Sequence, residues 1–158
     1  MKKIKLKNVV LLVVLCNLVS SCVTLQQPLP GSLWGNWAFV KTGTISNGAN
    51  ERLYNYNHLC YKESDRLHFS SDKKMTLRWY DERCGINHIM IGQYYVENGL
   101  LKVNLENKTP SQNSPLPPIT EYRIVQINST TLKLEEIPGT YRRHRNDEAM
   151  VFVFMKVD

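Results

Sequence analysis

The chain has 158 residues and a formal net charge of +6, and this basicity is concentrated at its start. Residues 1–21 contain four lysines and no acidic residue, which leaves 16 basic and 14 acidic groups in the other 137 residues. This near balance argues against a basic nucleic-acid-binding face, so we expect no nucleic-acid partner. The same 137 residues suffice for one domain with a single core.

Residues 1–22 have the order of an export signal that ends in a modified cysteine. Four lysines precede an apolar run from Val9 to Cys16, which is far shorter than the roughly 20 residues of a membrane-spanning helix. The next segment, Val19-Ser20-Ser21-Cys22, resembles the lipobox of bacterial lipoproteins, in which a cysteine is diacylated and becomes the mature N-terminus. The resemblance implies a signal peptide over 1–21 and lipidation of Cys22.

This reading predicts a tether over 22–32, rich in polar residues and proline, and a folded domain over 33–158. Two acyl chains on Cys22 would be a firm membrane anchor. We therefore expect a bacterial cell-envelope location. Val23 is not the aspartate that marks inner-membrane retention in some sorting systems, which favours the outer membrane, facing the periplasm. The alternative is an ordinary cleaved signal that exports a soluble chain.

Only Cys60 and Cys84 remain as thiols once Cys16 is removed with the signal and Cys22 carries lipid. In an oxidising compartment, two remaining thiols are expected to form a disulfide. Zinc ligation is the alternative, because His58 and His88 lie near the two cysteines. Neither spacing is C-x-x-C, so we expect no metal site.

Period-two alternation of apolar and polar residues dominates the domain and predicts an all-β fold. It is clearest where Leu101, Val103 and Leu105 alternate with polar residues. Short turns join consecutive runs, which predicts an antiparallel up-and-down barrel of about eight strands. Residues 43–59 lack clean alternation, and 50–59 are predicted as a short helix or a lid. The proline-rich segment 108–118 is predicted as a loop. The predicted strands are 35–42, 65–70, 74–80, 88–97, 100–106, 119–127, 130–137 and 149–157.

The first predicted strand begins with Gly35-Asn36-Trp37, a G-x-W motif with which lipocalins also begin. The domain is similar to the small lipocalin-like domains of many bacterial lipoproteins over residues 33–157. This resemblance implies a barrel in which Cys60 and Cys84 bracket the second and third strands. It also implies a closing arginine opposite Trp37, for which Arg142 and Arg143 are the only possible counterparts. The match continues through Leu67-His68-Phe69, Met75-Thr76-Leu77, Gly92-Gln93-Tyr94-Tyr95, Asn98-Gly99-Leu100-Leu101, Tyr122-Arg123-Ile124 and Thr130-Thr131-Leu132-Lys133-Leu134.

Aromatic residues are the candidates for lining a ligand cavity. An eight-stranded barrel interior is either filled by side chains or holds one small ligand, and alternation does not say which residues face inward. If a cavity exists, we expect a small apolar or amphipathic ligand. The candidate ligand-binding residues are Trp37, Trp79, Tyr95 and Tyr122.

A basic cluster at Arg142, Arg143 and Arg145 is the candidate for contact with an anion or a partner. The alternative is a solvated hairpin neutralised by Asp147 and Glu148. No G-x-S-x-G, H-E-x-x-H or glycine-rich phosphate loop is present, so we expect neither catalysis nor a cofactor. His68 lies close in sequence to Glu63 and Asp65. We expect these three residues to be polar groups on the surface and not a catalytic pair.

The last predicted strand is apolar on both faces, because Phe152 and Phe154 alternate with Val151, Val153 and Met155. One set must point away from the barrel interior. Its cover is either the segment 43–59 or a protein partner. Three functions are therefore open: ligand binding, docking on an envelope protein as an inhibitor or immunity lipoprotein does, and a structural part in an envelope assembly.

Overall fold

Antiparallel β-strands make up most of the described chain. The computed structural model describes residues 33–106, 119–137 and 148–158. Among these residues, no helix is long and apolar enough to cross a bilayer. The nine strands are Gly35–Ser46 (β1), Asn50–Asn55 (β2), Arg66–Phe69 (β3), Lys74–Tyr80 (β4), Ile86–Glu97 (β5), Leu100–Leu105 (β6), Glu121–Ile127 (β7), Thr131–Glu136 (β8) and Glu148–Val157 (β9).

The strands form one sheet that closes on itself. Its order is β2-β1-β3-β4-β5-β6-β7-β8-β9, and an additional antiparallel pairing joins β1 to β9. This pairing runs from Asn36 opposite Val157 to Ser46 opposite Glu148. Strand β1 and strands β3 to β9 thus make a closed eight-stranded antiparallel barrel, and the predicted barrel of about eight strands is confirmed. Strand β2 is extra and pairs with the second half of β1.

Of the two alternatives predicted for 50–59, a short helix or a lid, the helix is wrong, because Asn50–Asn55 forms strand β2. Strand β1 continues past the predicted end at residue 42 and reaches Ser46. Strand β2 is exposed along nearly its whole length, so no apolar alternation marks it in the sequence. A Cβ atom on Gly43 would lie 1.8 Å from the carbonyl oxygen of Arg52. Glycine at this position therefore allows the backbone of β2 to fold closely onto β1.

Both faces of β9 are buried near the middle of the strand. Phe152 and Phe154 are fully buried and contact Phe39 inside the barrel at centroid distances of 5.8 and 4.5 Å. Val151 points to the other face and is nevertheless fully buried. Lys133 Nζ on β8 lies 2.6 Å from Glu51 Oε1 on β2, an ion pair between two strands that are not neighbours in the sheet.

The core is continuous through the barrel. Among the described residues it runs from Leu33 to Phe154 and includes inward-facing side chains of all eight barrel strands, β1 and β3 to β9. A chain that begins at residue 23 therefore contains every residue of this core.

One end of the barrel is closed by Trp37. Its Nε1 donates a hydrogen bond to the carbonyl oxygen of Leu33 at 2.7 Å. Lys156, which is opposite Trp37 in β9, places Nζ 5.2 Å from the centroid of the indole. The basic residue at this position is thus Lys156, whereas the candidates Arg142 and Arg143 lie outside the described residues. Glycine is favoured at position 35 because its φ of +119° is a backbone conformation that residues with a side chain rarely adopt.

Candidate ligand-binding pocket

A cavity of about 220 Å³ lies at the ends of β3 and β4 that are remote from their connecting turn. We call it the mouth pocket. It combines three aromatic residues, two amides, one leucine and one carboxylate, which is the mixed lining typical of small-molecule sites. Its lining residues are Tyr56, Asn57, Leu59, Asp65, Trp79, Tyr80 and Asn87.

Asp65 is the central polar group of the mouth pocket and is only 4% exposed. Its Oδ1 accepts a hydrogen bond from the backbone N–H of Tyr80 at 2.8 Å. Its Oδ2 accepts one from the hydroxyl of Tyr56 at 2.6 Å. Both oxygens act as acceptors, as in an ionised carboxylate, and each has lone-pair capacity for a further donor.

The hydrogen bonds of His58 define a neutral ring beside Asp65. The backbone N–H of Asp65 donates to Nδ1 at 3.0 Å, so Nδ1 carries no proton. The carbonyl oxygen of Phe39 lies 3.0 Å from Nε2 and can only accept, so Nε2 carries the proton. Although Nδ1 lies 3.9 Å from Asp65 Oδ2, the neutral imidazole gives no opposite charge to that carboxylate.

Tyr56 joins the pocket to the barrel core. Its ring stacks on Phe39 with centroids 4.9 Å apart. Burial raises the pKa of the Tyr56 hydroxyl far above its usual value, and the hydrogen bond to Asp65 raises it further. The hydroxyl therefore remains a proton donor to the carboxylate throughout the neutral range.

A disulfide fixes the loop that carries Leu59. Cys60 and Cys84 are bonded, with their Cα atoms 4.9 Å apart, which confirms the predicted pair. The backbone N–H groups of Lys62 and Glu63 lie 3.2 and 2.9 Å from Cys60 Sγ. Among the described residues, no group of three or more metal-binding side chains occurs.

Trp79 contributes an indole that is 1% exposed. Its Nε1 has no hydrogen-bond partner within the part of the chain that the structure describes. Buried donors are nearly always paired in folded proteins. Trp79 also belongs to the hydrophobic core, so it joins the wall of the mouth pocket to the interior of the barrel.

Only Trp79 of the four predicted ligand-binding residues lines the mouth pocket. Trp37 and Tyr122 are buried in the core. Tyr95 is 49% exposed, so its predicted position in an interior cavity is wrong; in β5 it is Tyr94 that points inward. Tyr95 instead lines an outer groove, where Lys102 Nζ lies 5.8 Å from its ring centroid.

Other predicted residues fall elsewhere. Cys22, the segments 1–21 and 22–32, and Arg142, Arg143 and Arg145 lie outside the described residues. Asp65 is buried, contrary to its expected place among surface polar groups, while His68 Nδ1 contacts Asn36 Oδ1 at 3.0 Å. Sequence analysis missed Tyr56 and the role of Asp65. The available signal was an acidic residue between Cys60 and the start of a strand.

Comparison with solved structures identifies the type of barrel. A crystal structure of a lipocalin-like protein from Bacteroides uniformis ATCC 8492 matches 80% of this chain and 100% of its own, with a TM-score of 0.53 and 12% identity. The fold of the domain is lipocalin-like. An uncharacterized protein from Bacteroides eggerthii DSM 20697 matches 79% of this chain and 99% of its own, with a TM-score of 0.49 and 10% identity.

No protein-family model matches the chain, and no curated protein matches it. At 12% identity the structural likeness is evidence for the fold alone. The function must therefore be argued from the mouth pocket and from the sequence.

Proposed function

We propose that the chain is a membrane-tethered, lipocalin-like lipoprotein of the bacterial cell envelope that binds a small amphipathic molecule in the mouth pocket. The observation that carries the proposal is the pocket lining, in which aromatic rings surround the buried carboxylate of Asp65. The proposed activity is binding and not catalysis.

The barrel interior is filled by side chains, which supports the mouth pocket as the place where a ligand binds. Four aromatic rings pack together inside the barrel, with centroids 4.5 to 6.3 Å apart in the contacting pairs, and they belong to Phe39, Phe152, Phe154 and Tyr122. These side chains occupy the space that a ligand would need deeper in the barrel. The mouth pocket offers both apolar contact and hydrogen-bonding groups, which favours a molecule with an apolar body and a polar end.

Binding is tested by native mass spectrometry of the chain from residue 23, purified without denaturation. The proposal expects a small molecule that co-purifies with the wild type. Asn87→Trp, which places a large ring at the exposed pocket rim, should remove it. Gln93→Trp adds the same ring at an exposed site on the same strand and should leave it bound. Loss with both variants, or retention with both, would refute binding in the mouth pocket.

The membrane tether is supported by the lipobox-like segment 19–22 and is tested separately. Cys22→Ser should move the protein from the detergent phase to the aqueous phase in a partition assay, since two acyl chains would be its strong attachment. A variant that still enters the detergent phase after its signal has been removed would contradict the lipoprotein assignment.

A second candidate function, docking on an envelope protein, is favoured by three exposed apolar residues beside the disulfide. Leu59, Tyr61 and Ile86 are 56%, 83% and 53% exposed. Apolar surface of this kind often marks an interaction site. The docking hypothesis predicts that a partner captured in stoichiometric amount by the wild type is lost with Tyr61→Ser and kept with Tyr54→Ser, which alters another exposed tyrosine.

A further inference from the structure

We propose that the mouth pocket selects a small organic cation, such as a protonated amine or a quaternary ammonium group attached to an apolar body. The inference rests on the proposed function and specifies its ligand class. It depends on the charge of the pocket and on the aromatic residues around that charge.

The pocket contains a buried negative charge without a matching cation. Asp65 is the one acidic residue in the lining, and no lysine, arginine or histidine lines the cavity among the described residues. The nearby His58 is neutral in its hydrogen-bonding arrangement. Because a buried charge is costly when it is unpaired, a cationic ligand would stabilise this carboxylate.

Two basic residues near the pocket, Arg66 and His88, lie outside its lining. Arg66 forms an ion pair with Glu63, and its guanidinium carbon is 5.8 Å from the centroid of the Tyr80 ring. His88 lies against Trp79, with ring centroids 5.2 Å apart. Neither residue lines the cavity, so Asp65 dominates the electrostatic preference of the pocket.

The aromatic residues of the lining reinforce that preference. Tyr56, Trp79 and Tyr80 line the same cavity as Asp65. The faces of aromatic rings carry negative potential and attract ammonium groups, most strongly when both partners are removed from water. An anionic ligand would meet the Asp65 carboxylate at close range and would be disfavoured by repulsion.

The cavity volume limits the ligand further. A cavity of about 220 Å³ is smaller than the usual range for ligand sites, so it suits only a molecule with a single ring or a short chain.

The test uses three probes of nearly equal size that differ in charge: benzylamine, benzyl alcohol and benzoate. Each is titrated at neutral pH into the chain from residue 23, and the backbone N–H of Tyr80 and the indole N–H of Trp79 are followed by NMR. Benzylamine should bind at least about tenfold more tightly than benzyl alcohol, as expected for a partly buried charge-assisted contact. Benzoate should bind most weakly.

Two variants assign the preference to Asp65. Asp65→Asn should reduce benzylamine binding to the level of benzyl alcohol, whereas Asp72→Asn, the same charge change at an exposed turn, should not. If Asp65→Asn fails to fold, Tyr56→Phe tests whether Asp65 causes the preference for benzylamine. It keeps the ring and frees one carboxylate oxygen, so the preference for benzylamine must be kept or increased, and its loss overturns the proposal.

The remaining outcomes separate the two proposals. Equal binding of the three probes at Tyr80 and Trp79, or tighter binding of benzoate, would overturn the cation preference and leave ligand binding in the mouth pocket intact. No shift of either resonance with any of the three probes would reject the pocket, and the proposed binding function with it.

Discussion

The hydrogen bond from Tyr56 to Asp65 offers the most direct test of how the mouth pocket is held together. Tyr56→Phe removes one hydroxyl and keeps the ring that stacks on Phe39. Asp65 Oδ2 then loses the donor that lies 2.6 Å away, while Oδ1 keeps the backbone N–H of Tyr80. The change therefore isolates a single contact of a buried carboxylate.

The expected loss is about 1.5–3 kcal/mol of unfolding free energy, the range for hydrogen bonds to charged groups. The upper part of this range applies if water cannot replace the hydroxyl, and Asp65 is 4% exposed. Desolvation of Asp65 also lowers the unfolding free energy of the variant, because its carboxylate stays buried with one hydrogen-bond donor fewer.

Urea unfolding of the chain from residue 23 measures this loss. The midpoint should fall while the slope with denaturant stays constant, because the same surface is exposed on unfolding. Tyr54→Phe is the matched control: Tyr54 lies on β2 and is exposed, so its hydroxyl should contribute little. A Tyr56→Phe midpoint equal to that of Tyr54→Phe would refute the role assigned to this hydrogen bond.

The same contact predicts a pH dependence at alkaline pH. Burial first, and then Asp65, raise the pKa of Tyr56 in the folded protein above its unfolded value of about 10. Its contribution to stability is therefore complete below pH 10 and is lost as the pH rises further. The unfolding free energy of wild type should fall more steeply above pH 10 than that of Tyr56→Phe. Parallel curves would contradict the raised pKa.

Three further changes test the fold. Replacing Cys60 and Cys84 by serine opens a loop of about 25 residues and should cost roughly 3.5 kcal/mol in urea unfolding; no loss would contradict that constraint. Gly43→Ala should displace β2, since its Cβ would meet the Arg52 carbonyl, and unchanged hydrogen-exchange protection of β2 would argue against this. Lys73→Gly relieves a φ of +64° and should raise stability by about 0.5–1 kcal/mol; Lys73→Ala should not.

Alternation in the sequence predicted the barrel well but could not orient its strands. It located eight of the nine strands because each of them buries one face. It could not show that Tyr94 and not Tyr95 points inward, because a period of two defines two faces without naming the buried one. Strand β2 was not predicted, because its residues are nearly all exposed and so show no alternation of apolar and polar residues.

The candidate pocket was less predictable than the fold. Trp79 was found as an aromatic residue of a strand, whereas Tyr56 and Asp65 lie at the ends of a loop. Their hydrogen bond joins groups whose approach depends on how β1, β2 and β3 pair. No periodic pattern in the sequence records such a contact.

The sequence by itself determined the all-β class, the Cys60–Cys84 pair and the place of Trp37 in the first strand. These features follow from local alternation, from the small number of thiols and from a short motif. Tertiary structure decided that Lys156 lies against Trp37, that Glu51 of β2 pairs with Lys133 of β8, and that Asp65 is buried beside Tyr56. The physical reason is closure of the barrel, since the pairing of β1 with β9 brings together residues more than one hundred positions apart.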